Sequence, residues 1–274
     1  MTVRDALRAA TARLTDSDTP RLDAELLMAH ALGVSRDILL MQHLDAPVPV
    51  QFDTLLSRRI AHEPLAYITG TRDFWTITLN VAPGVLIPRP DSETLIEAAI
   101  AHFGAAGPKR VLDLGTGSGA LLLAALDHWP SATGVGIDAS ETALEIARRN
   151  ADVIAPGRAT LCHGDWASGL TERFDLILCN PPYVETAAQL SPDVLNEPRS
   201  ALFAGVDGLD DYRRIIPYLS ALIAPEGLIA MEIGYEQATL VQALFAEQGM
   251  ATVLAKDLGG RDRALLHFAL GKPA

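Results

Sequence analysis

Asn180 follows directly on the apolar run Phe174-Asp175-Leu176-Ile177-Leu178-Cys179, and Pro181-Pro182-Tyr183 comes straight after it. Proline cannot donate to a sheet ladder and biases the residue before it away from helical torsions. Two in succession force the chain out of the sheet and hold Asn180 and Tyr183 on a stiff loop at a strand end. Upstream, Val111-Leu112-Asp113-Leu114-Gly115-Thr116-Gly117-Ser118-Gly119 reads as another strand, ending in a glycine turn. In open α/β sheets ligands bind outside the carboxyl ends of the strands, so the two loops are candidates for one site.

The chemistry open to the first loop follows from its residue types. Gly115, Gly117 and Gly119 allow close approach to a ligand, Thr116 and Ser118 lie between them, and a helix opening near Ser118 offers free N–H groups to a carboxylate or phosphate. The spacing is G-x-G-x-G, not the G-x-G-x-x-G of a nicotinamide site. Asp138 ends the next strand, where an acid can accept from ribose hydroxyls; capping the helix that opens at Glu141-Thr142-Ala143-Leu144 is its other reading. Asp165 and Trp166 sit where an adenine edge and face would lie, with core filling as the plain alternative for Trp166. Ribose hydroxyls, an adenine and a positive centre among acidic strand ends describe S-adenosylmethionine.

At the second loop, the Asn180 side-chain carbonyl and the Pro181 main-chain carbonyl are two acceptors suited to an NH₂ group. An amide or aryl-amine nitrogen is a poor nucleophile because its lone pair is delocalised. Hydrogen bonds from its two N–H groups to these acceptors would aim it and relieve charge as a C–N bond forms. Tyr183 could pack on the planar group that carries the nitrogen. No general base is required before transfer, and none stands out.

The elements that must position these residues are legible from periodicity. From Arg110 on, strands and helices alternate, which predicts a mostly parallel sheet with helices on both faces. The strands are Arg110–Leu114, Gly134–Asp138, Ala159–His163, Phe174–Cys179, Leu228–Ile233, Ala251–Lys256 and Ala264–Ala269. The last two are joined too tightly for a helical crossover and should pair antiparallel. Alternation of Trp75, Ile77, Leu79 and Val81, then Pro83-Gly84 and Val85-Leu86-Ile87, predicts a β-hairpin. Asp91 or Ser92 is a plausible N-cap for the helix through Leu95, Ile96 and Ala99. Residues 1–72 read as short amphipathic helices: Val3, Leu7, Ala10 and Leu14; Leu22, Leu26, Leu27 and His30-Ala31; then Phe52, Leu55, Leu56 and Ile60. Such a bundle is either a packing module or a docking module for a protein substrate.

Composition limits the alternatives. The 274 residues carry a formal net charge of −12, which repels nucleic-acid phosphates, so a polypeptide partner or a small cation fits better. Cys162 and Cys179 form neither a disulfide framework nor a zinc spacing, which suits a reducing cytoplasm. No apolar stretch approaches about 18 residues, so no membrane association is expected. The seven histidines show no ligand pattern; His163, beside the predicted ligand loop, is the one to watch.

With these residues in place the chain resembles the release factor glutamine methyltransferases, the PrmC/HemK family of protein-(glutamine-N5) methyltransferases. The match runs through Glu63-Pro64-Leu65-Ala66-Tyr67-Ile68-Thr69-Gly70, Phe74-Trp75, Pro83-Gly84-Val85-Leu86-Ile87-Pro88-Arg89-Pro90, Asp113 to Gly119, and Asn180-Pro181-Pro182-Tyr183. Glu197-Pro198, Asp207-Gly208-Leu209 and Asp257-Leu258-Gly259-Gly260 with Arg263 extend it nearly to the end.

The resemblance implies a class I S-adenosylmethionine-dependent methyltransferase. Its fold is Rossmann-like, a mostly parallel seven-stranded sheet with one antiparallel strand, plus a small N-terminal helical bundle and a linking β-hairpin. The division expected is a helical substrate-docking domain at 1–72, a hairpin linker at 73–87 and a catalytic domain at 88–274. The activity implied is methylation of the N5 amide nitrogen of the glutamine in the Gly-Gly-Gln motif of bacterial peptide chain release factors. Cofactor binding falls to Gly115, Thr116, Gly117, Ser118, Gly119, Asp138, Trp166 and Asn180. Asn180, Pro181, Pro182 and Tyr183 hold the glutamine, with Asn180, Pro181 and Tyr183 carrying catalysis. A cytoplasmic monomer acting on release factors, with no direct nucleic acid partner, is expected. A ribosomal-protein glutamine, or adenine N6 or guanine N2 of nucleic acid, are the alternative targets. Arg89 and Glu197 either line the substrate channel or serve packing.

Overall fold

The computed structural model describes residues 1–270. The chain divides into two compact units, one of Met1–Thr71 with Leu190–Asn196, the other of Arg72–Gln189 with the chain from Glu197 on.

The first unit is helical, with α1 (Val3–Arg13), α2 (Pro20–Leu32), α3 (Arg36–Gln42), α4 (Phe52–Ile60) and α5 (Leu65–Thr69). Thr2 and Asp5 close a capping box at the start of α1. Val3, Leu7, Ala10 and Leu14 are buried as their spacing predicts. In α2 the predicted face is rotated: Leu22 and His30 are exposed, while Ala24, Leu27, Met28 and Ala31 are buried. The reason lies in two acids on the inner side of that helix. Asp23 meets Arg59 at 2.7 Å, and Glu25 is held by Arg21 and Arg36, each at 2.7 Å, so charge is buried there in paired form. Arg59 also reaches Asp193 at 2.6 Å, which fastens Leu190–Asn196 into this unit.

From Arg72 the second unit opens with a hairpin of β1 (Thr71–Phe74), whose first residue belongs to the helical unit, and β2 (Ile77–Asn80). Its turn is Trp75-Thr76, not Pro83-Gly84 as the alternation predicts; Trp75 takes a left-handed φ of 53°. Residues 81–89 run as irregular chain to a 3-10 turn at Pro90–Ser92. There follow α6 (Glu93–Phe103), β3 (Arg110–Leu114), α7 (Ala120–His128), β4 (Thr133–Asp138), α8 (Glu141–Ile154), β5 (Ala159–His163) and β6 (Phe174–Cys179). The rest is α9 (Asp210–Leu222), β7 (Ile223–Glu232), α10 (Ala238–Glu247), β8 (Val253–Lys256) and β9 (Asp262–Phe268).

The sheet order is β5-β4-β3-β6-β7-β9-β8. Strand β9 is the antiparallel one and lies between β7 and β8, antiparallel to both. The predicted strands are present; β7 begins earlier than expected, at Ile223. Central strands are buried on both faces, which is why they read as continuous apolar runs. Val111, Leu176 and Leu178 pack into one core with α6 and α7, while Leu112, Leu114, Ile177 and Cys179 pack into the other with α9 and α10. The resulting carboxyl edge brings the ends of β3, β4, β6 and β7 side by side.

Candidate active site

A cleft of about 540 Å³ opens at that carboxyl edge, lined by the loops after β3, β4, β5 and β6. The glycine loop forms its floor. Gly115 has φ 73° and Gly117 φ 57°, left-handed values at which a side chain would be strained. A Cβ at Gly115 would also lie 2.9 Å from Cζ3 of Trp166, so the bare backbone is what lets the indole close over the loop. Gly119 is not on the cleft wall: a Cβ there would meet Leu123, and its role is to seat α7. Thr116 and Ser118 are buried cleft residues, and the Thr116 hydroxyl donates to Asp113 Oδ2 at 2.7 Å.

Asp113 is 1% exposed, and its Oδ1 has no hydrogen-bond partner although the residue lines the cleft. Burial pushes this carboxyl up to about 7, opposed by Thr116 and the Leu122 N–H and reinforced by the nearby Asp138 charge. Asp138 accepts from Gly117 N and Ser140 N, both at 2.8 Å. It does not cap α8; Ser140 does, through Ala143 N. The cap reading of Asp138 is therefore replaced by one in which it braces the glycine loop from inside the cleft. Trp166 has φ 50° and its Nε1 donates to Asp211 Oδ1 at 3.1 Å. Asp211 and Asp165 both pair with Arg214, so the cleft rim after β5 is tied to α9. His163 lies off the cleft wall, with its Nε2 on Ala139 O at 3.1 Å. An orphaned buried acceptor, a second carboxylate and a glycine cradle under an indole fit a ligand with hydroxyl donors, an aromatic face and positive charge.

Asn180 and Pro182 line the same cleft. The Asn180 amide is anchored, since Nδ2 donates to Ser92 Oγ at 3.1 Å and Ser92 Oγ is bonded in turn to Glu232 Oε2. Ser92 is the residue before α6, yet its hydroxyl makes no cap bond; it serves this chain instead. The Tyr183 hydroxyl donates to Glu232 Oε1 at 3.3 Å, and the Tyr183 carbonyl accepts from Gln237 Nε2 at 3.0 Å. The ring packs against the core under α9 and α10, and neither Tyr183 nor Pro181 is on the cleft wall. A Cβ at Gly208 would stand 2.3 Å from the Tyr183 carbonyl oxygen, which accounts for glycine in Asp207-Gly208-Leu209. Arg89 and Glu197 pair with each other, and Glu197 Oε2 also accepts from Ile87 N at 2.9 Å. Both are absent from the cleft wall, so they brace the segment before α6.

Residues 5–70 match the model of the PrmC N-terminal domain and residues 91–205 that of the methyltransferase small domain. The release factor glutamine methyltransferase of Caulobacter vibrioides is 42% identical over 277 residues, covering 97% of this chain and 96% of that protein. Its counterpart from Vibrio cholerae is 40% identical, covering 97% and 96%. This chain belongs to the release factor glutamine methyltransferase family. Family members from distant bacteria align equally fully: that of Moorella thermoacetica is 38% identical over 98% of this chain and 99% of its own.

Solved structures share the fold at low identity. A methyltransferase from Pyrococcus furiosus has a TM-score of 0.54 at 18% identity, covering 70% of this chain and 88% of its own. The hMettl16 catalytic domain in complex with the MAT2A 3′UTR hairpin 6 has a TM-score of 0.59 at 14% identity, covering 90% and 94%.

For a methyltransferase of this family the cleft wall, with Asp211 and Arg214, and the bonds behind it, with Glu232, hold residues that motif reading passes over. Asp211 and Arg214 come from α9, whose first turn carries no local signal of a site. Glu232 does have a signal: it is the one carboxylate in the apolar run Leu228–Ile233, and a lone acid in a strand buried on both faces needs partners.

Proposed function

We propose that this methyltransferase uses S-adenosylmethionine to methylate the N5 amide nitrogen of the glutamine in the Gly-Gly-Gln motif of peptide chain release factors. When bound, the cofactor supplies a methyl group on a positively charged sulfur and leaves as S-adenosylhomocysteine. Gly115 to Ser118, Asp138 and Trp166 would hold it, with Asp113 and Asp138 suited to its positive charge and hydroxyls. The observation that carries the reading is Asn180: its nitrogen end is occupied by Ser92, so its Oδ1 is the end left to receive an N–H from a planar amide. The Pro181 carbonyl would take the second N–H, and Pro182 would confine the plane, with Tyr183 supporting the loop from behind. The glutamine nitrogen forms its bond to carbon as the sulfur–carbon bond breaks, and its surplus proton leaves afterwards.

On this reading the enzyme works in the cytoplasm as a monomer, on a protein and not on nucleic acid. The net charge of −12 supports the last point. The N-terminal helices would capture the release factor. Met41, 73% exposed on α3, offers a probe of that role: Met41→Glu is expected to raise KM for intact release factor and leave kcat unchanged. An unchanged KM would count against capture by that face.

The deciding experiment offers methyl-labelled cofactor together with release factor, ribosomal protein and RNA. Label is expected on release-factor glutamine alone; label confined to RNA or ribosomal protein would overturn the reading. Asn180→Ala should lower kcat about 100-fold, the scale of losing one donor or acceptor aimed at a reacting group, with cofactor-product affinity within about twofold.

A further inference from the structure

Glu232 touches neither wall nor floor of the cleft, yet it reaches both ends of the Asn180 to Tyr183 segment, Tyr183 directly and Asn180 through Ser92. It is 1% exposed, on β7, with Ser92 on Oε2 and the Tyr183 hydroxyl on Oε1. Ser92 is 3% exposed and carries a single hydroxyl proton. The two ends of a carboxamide are alike in shape, so the network alone decides which way Asn180 points. An ionised carboxylate only accepts, so the Ser92 proton must go to Glu232. The Ser92 lone pairs are then left to accept from Asn180 Nδ2. Were the amide reversed, Oδ1 would face Ser92 Oγ with no proton between them.

We infer that Glu232 is a positioning residue which, through Ser92, sets the polarity of the Asn180 amide and so keeps Oδ1 turned toward the target nitrogen. The inference rests on the role given above to Asn180. It also assigns a function to the tyrosine of the motif, whose hydroxyl holds the second carboxylate oxygen and keeps Glu232 in the rotamer that meets Ser92.

Protonation reverses the chain. With a proton on Oε2, Glu232 can donate to Ser92, whose own proton is freed to bond Asn180 Oδ1. The amide then presents Nδ2 to the substrate, donor against donor. Burial raises the Glu232 carboxyl to about 7, with Asp91 adding to the rise and Ser92, Tyr183 and the Arg263 charge opposing it. Arg263, on β9, is itself held by Asp91 at 2.9 Å and Asp257 at 3.1 Å. Tyr212 of α9 meets Glu232 at its main-chain oxygen, at 3.1 Å, and also reaches Gln237 Oε1 at 3.5 Å. Burial is the largest of these influences, and the Arg263 charge opposes it more than the Asp91 charge adds to it.

The test compares wild type, Ser92→Ala, Glu232→Gln and Asn180→Ala with intact release factor from pH 6 to 8.5. Calorimetric titration of S-adenosylhomocysteine and the side-chain amide signal of Asn180 in ¹⁵N NMR are read on the same samples. Ser92→Ala should lose tenfold or more in kcat with product affinity within twofold. Glu232→Gln should lose less, because its amide oxygen still accepts from Ser92, and should abolish the acid limb of the wild-type kcat profile. In wild type the Asn180 amide signal should move across that limb, and in Glu232→Gln it should not. Wild-type kcat in Ser92→Ala, an acid limb that survives in Glu232→Gln, or an amide signal fixed across the limb in wild type would each overturn the inference. Full activity in Asn180→Ala would instead remove the reading of the site on which it rests.

Discussion

Asp113, Gly115, Asp138 and Trp166 show how few atoms define the floor of this site. Two are residue types that folding alone would disfavour in their positions, a buried acid with an unbonded oxygen and a left-handed tryptophan; the other two shape the floor, a left-handed glycine and a carboxylate that braces the glycine loop. Such expenditure is expected where a ligand completes the bonding. Gly115→Ala tests it, because the new methyl is strained at φ 73° and drives the Trp166 ring off the loop. S-adenosylhomocysteine affinity by calorimetry is expected to fall at least tenfold, with a loss of folding stability of about 1–2 kcal/mol. Product affinity within twofold of wild type would show that the indole does not help form the pocket.

Among elements, the parallel register is what delivers side chains to one another. Cys179 pairs with Met231, so the next residue of each strand, Asn180 and Glu232, emerges at the same level of the edge. Leu114 pairs with Ile137, whose carbonyl accepts from both Gly115 N and Thr116 N, and this starts the glycine loop where β4 ends in Asp138. In the helical unit the decisive element contact is ionic. Arg59 of α4 serves Asp23 of α2 and Asp193, with only 9% of its side chain exposed. Arg59→Met should lower stability by about 3 kcal/mol in denaturant unfolding, since the buried Asp23 loses its counter-charge. Adding Asp23→Asn should return part of that loss, and no recovery would mean the arginine acts by packing.

Across the whole molecule, two buried carboxyls, Asp113 and Glu232, are both raised to about 7. Their unfolded values lie near 4, so between about pH 4 and 7 the folded chain binds more protons than the unfolded chain, and stability falls as pH rises through that window. Glu25 and Glu63 act in the opposite sense, because arginines hold them below the usual carboxylate range and their contribution is lost as pH falls below about 4. The denaturant midpoint is therefore expected to rise from pH 8 to about pH 5.5 and to drop under strong acid, and Asp113→Asn should flatten the rise. A midpoint constant from pH 8 to 5.5 would contradict the burial of these acids. Turnover should run the other way over the same range, because protonated Glu232 favours the folded chain while reversing Asn180.

By itself the sequence determined the two site loops, the strands behind them and the antiparallel pair at the C-terminus, because strand periodicity, glycine turns and paired prolines are local signals. The same holds for Asn180, Gly115, Gly117, Asp138 and Trp166, which chain-local chemistry already marks. Tertiary structure alone decided that the hairpin turns at Trp75-Thr76, that α2 buries its acids and exposes Leu22, and that Ser140 rather than Asp138 caps α8. It also decided that Ser92, 88 residues before Asn180, and Glu232, 52 after it, complete the amide's setting. Those partners are chosen by strand order and register, which bring distant residues to one edge, and no local pattern in the chain encodes that meeting.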